Sequence, residues 1–173
     1  MKKILTTTYS PCIQGSYGIV CREIFKRIHE TGKYEIISHG WFHWDLTDSV
    51  PWQVIPTTTR ARPDGSREPD PDDVHGTKSL AQTIAQVKPD IVWALGDHYM
   101  LRHIGSLKLQ FPSIIFIAYL AVDGEPWNFL ITEPYKQVDH IVALSKYGAD
   151  TLARYCNRSV PFVYHGINPQ EFK

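Results

Sequence analysis

Apolar and polar positions along this chain keep changing period, from short continuous apolar runs to stripes spaced three and four residues apart, which predicts strands separated by helices. The first run, Ile4-Leu5-Thr6-Thr7-Thr8, is rich in β-branched residues and too short for an independent helix, so it reads as a strand buried on both faces. Tyr9 to Gly18 carries Pro11, Gly15 and Gly18 and must turn. From Ile19 a stripe of Val20, Ile24 and Ile28, widened by Cys21 and Phe25, faces away from Arg22, Glu23, Lys26, Arg27 and Glu30. That is an amphipathic helix, and Gly32 stops it. Tyr34 to His39 follows as a second strand, and a strand, helix, strand unit closes with a right-handed crossover in a parallel sheet.

The same reading continues to the end. Gly40-Trp41-Phe42-His43-Trp44 is an aromatic cluster that packs over the sheet edge or lines a cleft, with packing the preferred reading. Val50 to Pro56 holds two prolines and is confined to an edge strand. Thr58 to Gly76 is polar throughout and is expected to be a mobile loop, with substrate contact by Arg60 or Arg62 as the alternative. Leu80, Ile84 and Val87 mark a helix from Thr77 that ends near Lys88, because Pro89 disfavours helical backbone before it. A strand to Leu95 leads into the loop Gly96-Asp97-His98, then a helix from Tyr99 to Leu109. Pro112 to Tyr119 is the most apolar run and predicts a central strand. The loop Leu120 to Trp127 after it carries Asp123-Gly124, and a short helix covers Phe129 to Tyr135. His140 to Leu144 is a strand, Ser145 is placed to cap the helix bearing Ala149, Leu152, Ala153 and Cys156, and Val160 to Tyr164 is the last strand. The expected architecture is one α/β domain over residues 1–173, doubly wound, with a mainly parallel sheet and helices on both faces.

Composition narrows the function classes. Lysine plus arginine equals aspartate plus glutamate at 18 each, so no global charge favours nucleic acid or an anionic membrane as partner. No stretch nears the roughly 20 apolar residues of a membrane span, although peripheral contact stays open. Cys12, Cys21 and Cys156 show no C-x-x-C spacing, which argues against a disulfide framework or zinc site and points to a reducing cytoplasm. His39 and His43 lack a third ligand at a recognisable spacing. Asp70-Pro71-Asp72 matches the letters of a D-x-D motif but lies in the polar loop, so no metal is expected. The start of the first helix is the best anion-accepting place, with free N–H groups and the positive dipole end, though its glycines have the plain alternative of merely shaping the turn. Neither G-x-G-x-x-G nor G-x-x-x-x-G-K-[ST] is present. Asp97 and Asp123 both follow strands, where ligands of open parallel sheets collect.

Five segments together resemble the N-terminal half of a GT-B glycosyltransferase of the retaining group called family 4. They are Gly15-Ser16-Tyr17-Gly18, Lys88 to Val92 with Gly96-Asp97, Tyr119 to Gly124, Val138 to Gly148, and His165 to Phe172. The resemblance implies an acceptor-binding half whose glycine loop approaches the donor phosphates, with a nucleotide-diphosphosugar donor as co-substrate and no covalently bound cofactor. It also implies a C-terminal donor-binding domain that this chain lacks, by truncation rather than supply from another polypeptide, so that this half alone is inactive. It nominates Asp123 as catalytic, with Gly15, Ser16, Tyr17 and Gly18 on the helix side and Asp97, His98, Gly124, Ser145 and Lys146 on the strand-end side binding substrate. Three departures stand out. Ser16 replaces a glycine, Asp123 stands near where many members carry a histidine, and Tyr164-His165-Gly166-Ile167-Asn168 alters the segment leading into the second domain. An epimerase or phosphorylase on the same plan, or a non-catalytic binding module, are the alternatives.

Overall fold

The computed structural model describes residues 1–44, 46–125 and 129–166. Its elements are β1 (Lys2–Tyr9), α1 (Ser16–Glu30), β2 (Tyr34–Trp41), β3 (Gln53–Pro56), β4 (Thr59–Ala61), β5 (Arg67–Pro69) and α2 (Ser79–Val87), then β6 (Ile91–Asp97), α3 (Ile104–Gln110), β7 (Ile115–Ala121), α4 (Phe129–Lys136), β8 (His140–Ala143) and α5 (Lys146–Cys156). Six strands form one sheet in the order β3-β2-β1-β6-β7-β8, and every pair is parallel. The chain starts in the middle, winds outward to β3, and returns across β1 to wind the other way. Right-handed crossovers in opposite directions put their helices on opposite faces. Accordingly α1 packs on one face, where Cys21 and Phe25 meet Ile4 and Ile36. Residues of α2, α3, α4 and α5 share the other face, in a core with Leu5, Trp41, Val92, Phe116 and Ile141. Between β1 and β6 the winding reverses, and that switch point opens a crevice at the C-terminal strand ends.

Several boundaries differ from the sequence reading. Helix α1 begins at Ser16, three residues before the apolar stripe, and its first turn packs through Tyr17 and Gly18, a tyrosine and a glycine that an apolar period does not register. The helix expected from Tyr99 is confined to Ile104–Gln110, and residues 98–103 are turns or their flanks; Met100 and Leu101 are buried all the same, so their spacing reported burial rather than helix. The last expected strand reduces to one bridge between Phe162 and Ala143, next to Pro161, which has no N–H to give a ladder. The segment after Gly166 that carried part of the family resemblance lies outside the described residues.

The largest correction concerns residues 58–76, expected to be mobile. They fold into the antiparallel hairpin β4–β5, in which Glu68 receives Arg60 Nε at 2.6 Å and Arg62 Nε at 2.8 Å. Both arginines proposed as substrate contacts are thus engaged inside the hairpin. The segment is anchored by one buried carboxylate, since Asp73 accepts from the backbone N–H groups of Thr58, Lys78 and Ser79, and composition gives no sign of such an anchor. Asp70 and Asp72, the D-x-D letters, both lie within ion-pair distance of Lys78.

Candidate functional site

The loop between β1 and α1 is held tightly by the protein itself. Ser10 N donates to the Trp41 carbonyl at 2.8 Å, Ser10 Oγ lies 2.7 Å from His43 Nδ1, and the Arg22 guanidinium donates to the Pro11 carbonyl at 2.8 Å. His43 is therefore a loop strut. Gly15 and Gly18 both have negative φ, and what demands glycine is crowding. A Cβ at Gly18 would lie 2.4 Å from the Ser10 carbonyl oxygen, and one at Gly15 would lie 2.7 Å from the Tyr9 ring. The close approach their positions make possible is that of the loop onto its own helix.

At the N-terminus of α1, Gly15 supplies no side-chain cap and the first turn holds no acidic residue. The first N–H groups of a helix lack intrahelical partners and lie at the positive end of its dipole. Thr8, 1 % exposed, stands on the α1 face of β1, two residues beyond Thr6, whose hydroxyl meets Ser38 and Cys21 there. Among the described residues the Thr8 hydroxyl is buried with no hydrogen-bond partner. Ser16 also borders an open groove of about 800 Å³ floored by Trp93, Tyr119 and Val142.

Across the switch point, Asp97 ends β6, and Tyr17 of α1 donates to its Oδ1 at 2.7 Å. Burial and this hydrogen bond push the Tyr17 phenol far above its usual range. Tyr9 packs edge-on to Tyr17 at 5.7 Å between ring centroids and to Phe42 at 4.9 Å. Phe42, just past β2, has φ of 55°, a left-handed conformation uncommon for a bulky residue and retained where surroundings enforce it. His75, from the loop between β5 and α2, meets Trp41 at 5.1 Å and Tyr99 at 6.2 Å. Burial lowers its imidazole below the usual range, against the pull of Asp97. The aromatic run past β2 divides in two: Trp41 is fully buried, whereas Trp44 is 44 % exposed.

The other nominated residues fall on the same sheet edge with different employments. Asp123 is exposed in the loop after β7, two residues past the Ala121 that pairs with Asp97. Ser145 caps α5 by accepting from Gly148 N at 3.0 Å, and Lys146 pairs with Asp150 at 2.7 Å. The His98 ring stands 5.8 Å from that of Tyr99, and its carbonyl accepts from Tyr135 Oη. A Cβ at Gly124 would meet nothing within 4 Å.

Behind the crevice lies a buried polar chain. His39 is wholly buried, with its ring nitrogens 3.1 Å from Thr7 Oγ1 and 2.9 Å from Ser79 Oγ. Burial lowers its pKa from 6.5 to about 4, and His103 is lowered to about 4 for the same first reason. A folded-state value below the unfolded one means the unfolded chain binds more protons between these limits. Stability is therefore full above pH 6.5 and declines as pH falls from 6.5 towards 4, by about 3 kcal/mol for His39. Urea unfolding at a series of pH values measures this, and His39→Gln should flatten the slope in that window to the share left by the other histidines that burial lowers, His43, His75, His103 and His165.

Among the described residues, no cluster of three or more His, Cys, Asp or Glu side chains is placed to hold a metal ion, and no helix is long and apolar enough to cross a membrane. The three cysteines are free and buried.

An all-parallel sheet wound both ways from β1, with a crevice at its switch point, defines a Rossmann-like domain of the kind that forms the N-terminal half of GT-B proteins. MurG from Acinetobacter baumannii superposes on it with a TM-score of 0.60 at 13 % identity, covering 100 % of this chain and 48 % of that one. UDP-GlcNAc 2-epimerase from Methanocaldococcus jannaschii does so with a TM-score of 0.53 at 15 % identity, covering 95 % and 45 %. The chain thus spans about half the length of these structures. No family model matches the sequence, and no curated protein is similar enough to match. At such identities the likeness is one of fold.

Proposed function

We propose that this chain is the acceptor-binding half of a retaining glycosyltransferase that uses a nucleotide-diphosphosugar donor, working in the cytoplasm with a donor-binding half outside this chain. The observation that carries the reading is convergence. The uncapped start of α1, Asp97 and Asp123 meet along one sheet edge although they lie up to about a hundred residues apart in sequence. Helix N–H groups and dipole are suited to a departing diphosphate without a metal, and the buried Thr8 hydroxyl on the α1 face adds an unused polar group nearby. In this reading Asp97, His98 and Asp123 receive acceptor hydroxyls. In the protein that carries both halves, Asp123→Asn is expected to lower sugar transfer at least tenfold, a loss of roughly 1.4 kcal/mol of transition-state stabilisation. Steady-state assay with saturating donor checks this, and unchanged turnover would remove Asp123 from the site.

The fold shared with UDP-GlcNAc 2-epimerase supports a second reading, a sugar epimerase built on the same half. Product analysis with a nucleotide sugar and no acceptor separates the two, because only the epimerase yields an isomerised sugar.

A further inference from the structure

His39 is one link of a hydrogen-bonded chain in which every proton has one place. The Ser79 hydroxyl donates to the Asp73 carboxylate, which only accepts, so Ser79 Oγ receives His39 Nε2–H at 2.9 Å. The other ring nitrogen, Nδ1, is then bare and accepts from the Thr7 hydroxyl at 3.1 Å, while Thr7 Oγ1 accepts from Trp41 Nε1 at 3.1 Å. The chain runs from β1 and β2 outward to the segment between β5 and α2, and it holds no acceptor for a second ring proton. A proton added to Nδ1 would face the one that Thr7 already points at it, on a side chain with no exposed surface.

The segment at the outer end of that chain also covers the ring. Gly76 lies so close that a Cβ there would collide with His39 Cε1, and Ser79 bonds to the ring directly. Strand β2 is paired on both sides, whereas residues 71–78 are turns held by the Asp73 carboxylate, by Gly76 N on the Asp73 carbonyl at 2.9 Å, and by His39 itself. Lifting this segment costs less than parting the sheet as a way to bring water to the ring. His75 stands between Asp73 and Gly76, and its ring meets Trp41 and Tyr99 at the crevice. Two titratable groups act on the His39 ring: Asp73, from the segment, favours its proton, and His103, from the turn ahead of α3, opposes it. His75 and Asp73 act in turn on His103, whose Nε2 is buried with no hydrogen-bond partner among the described residues. The cation of the segment, Lys78, lies within ion-pair distance of Asp70 and Asp72. Strands β1 and β2 and helix α2 bond to the chain only through the uncharged Thr7, Trp41 and Ser79.

We propose that the segment from Asp73 to Ser79 is an acid-sensitive gate: a proton taken up by His39 favours its lifting from the sheet, which withdraws His75 from the crevice while the six-stranded sheet stays folded. Burial couples the two events. Closed, the ring resists a proton down to about 4, and open to water it returns to 6.5. Opening is therefore favoured by about twentyfold or more on passing from pH 7 to pH 5. The inference concerns one wall of the crevice and stands whatever the crevice binds.

Amide hydrogen exchange of the whole chain, followed by nuclear magnetic resonance, tests it. The amides of Thr58, Gly76, Lys78 and Ser79, all bonded to Asp73, report the gate. At pH 7 their protection, corrected for the intrinsic exchange rate, should lie about tenfold or more below that of the amides of β1 and β6. It should also be indifferent to dilute urea, since a local opening exposes little surface. From pH 7 to pH 5 it should fall by about twentyfold or more. His39→Gln, whose amide can still donate to Ser79, should remove most of that fall and leave the share of His75 and His103. Protection and urea dependence equal to those of β1 and β6 would overturn the gate, because the segment would then open only with the whole domain. Protection that ignores pH, or a fall undiminished in His39→Gln, would overturn the role of the ring. Should His39→Gln not fold, the nitrogen-15 shifts of the wild-type ring decide: the proton should sit on Nε2 at pH 7, and a proton on Nδ1 would overturn the chain on which the gate rests.

Discussion

Replacing Asp73 with alanine is expected to destabilise the domain by about 3 kcal/mol, roughly a hundredfold in the folding equilibrium. Asp73 is fully buried, and its carboxylate accepts from the backbone N–H groups of Thr58 at 2.9 Å, Lys78 at 2.7 Å and Ser79 at 3.0 Å. Two of those donors belong to the start of α2, a helix with no acidic residue in its first turn and no cap from its own N-cap side chain. Asp73 therefore supplies both cap and charge from outside the helix, and ties the β4–β5 hairpin segment to it. Burial alone would raise its carboxyl, but the hydrogen bonds from Ser79 and Thr58 outweigh that and hold it at about 2, below the usual 3.8. A folded-state value below the unfolded one gives stability that is complete above pH 3.8 and is lost as pH falls from 3.8 towards 2, about 2 kcal/mol in all. Urea unfolding at neutral and acid pH measures both effects. In Asp73→Asn the decline below pH 3.8 should shrink to the share left by the other lowered carboxylates, Asp64, Glu68 and Asp139, while the histidine-linked decline between pH 6.5 and 4 persists, and equal unfolding midpoints for wild type and alanine variant would refute the role.

Gly18→Ala is the second large effect. The added Cβ would stand 2.4 Å from the Ser10 carbonyl oxygen and 3.2 Å from that of Ile13, and both are backbone atoms that cannot swing aside. The loop has little freedom to retreat, because Ser10 is bonded to Trp41 and His43 and Pro11 to Arg22. The expected loss is about 3 kcal/mol, larger than the roughly 1 kcal/mol that alanine gains over glycine inside a helix. Thermal denaturation checks it, with Gly124→Ala as a control expected within about 0.5 kcal/mol, since nothing lies within 4 Å of that added Cβ. A second readout is binding at the crevice. Moving the first turn of α1 moves Tyr17, and with it the hydrogen bond that orients Asp97.

How far the site was visible in advance differs from residue to residue. Asp97 and Asp123 were nominated from their expected places at the ends of strands, and the parallel sheet does bring both to one edge, Asp97 as the last residue of β6 and Asp123 two residues past β7. Ser145 was read as a cap, and it caps. Tyr9, His75 and Tyr99 were passed over as crevice residues, whereas Phe42 and Trp44 lay in the run Gly40 to Trp44, whose density of aromatic rings left a cleft lining as the second reading. That signal was ambiguous because one run feeds both environments, Trp41 into the core and Trp44 outward. Asp73 and His75 were hidden for another reason. They lie in a stretch whose composition resembles disorder, and only the distant backbone N–H groups around Asp73 and the rings of Trp41 and Tyr99 around His75 give them fixed positions.

The amino-acid sequence by itself determined the alternation of strand and helix, the parallel direction of the sheet, the edge position of the proline-bearing strand and the cap of α5. Each of these follows from periods, turns and caps that act over a few neighbouring residues. Only the tertiary structure decided that β1 and β6 stand side by side, so that Tyr17 reaches Asp97 eighty residues away, and that Asp73 closes the start of α2. Strand order and burial depend on the summed packing of the whole chain, and no local pattern encodes which distant side chains that packing will bring into contact.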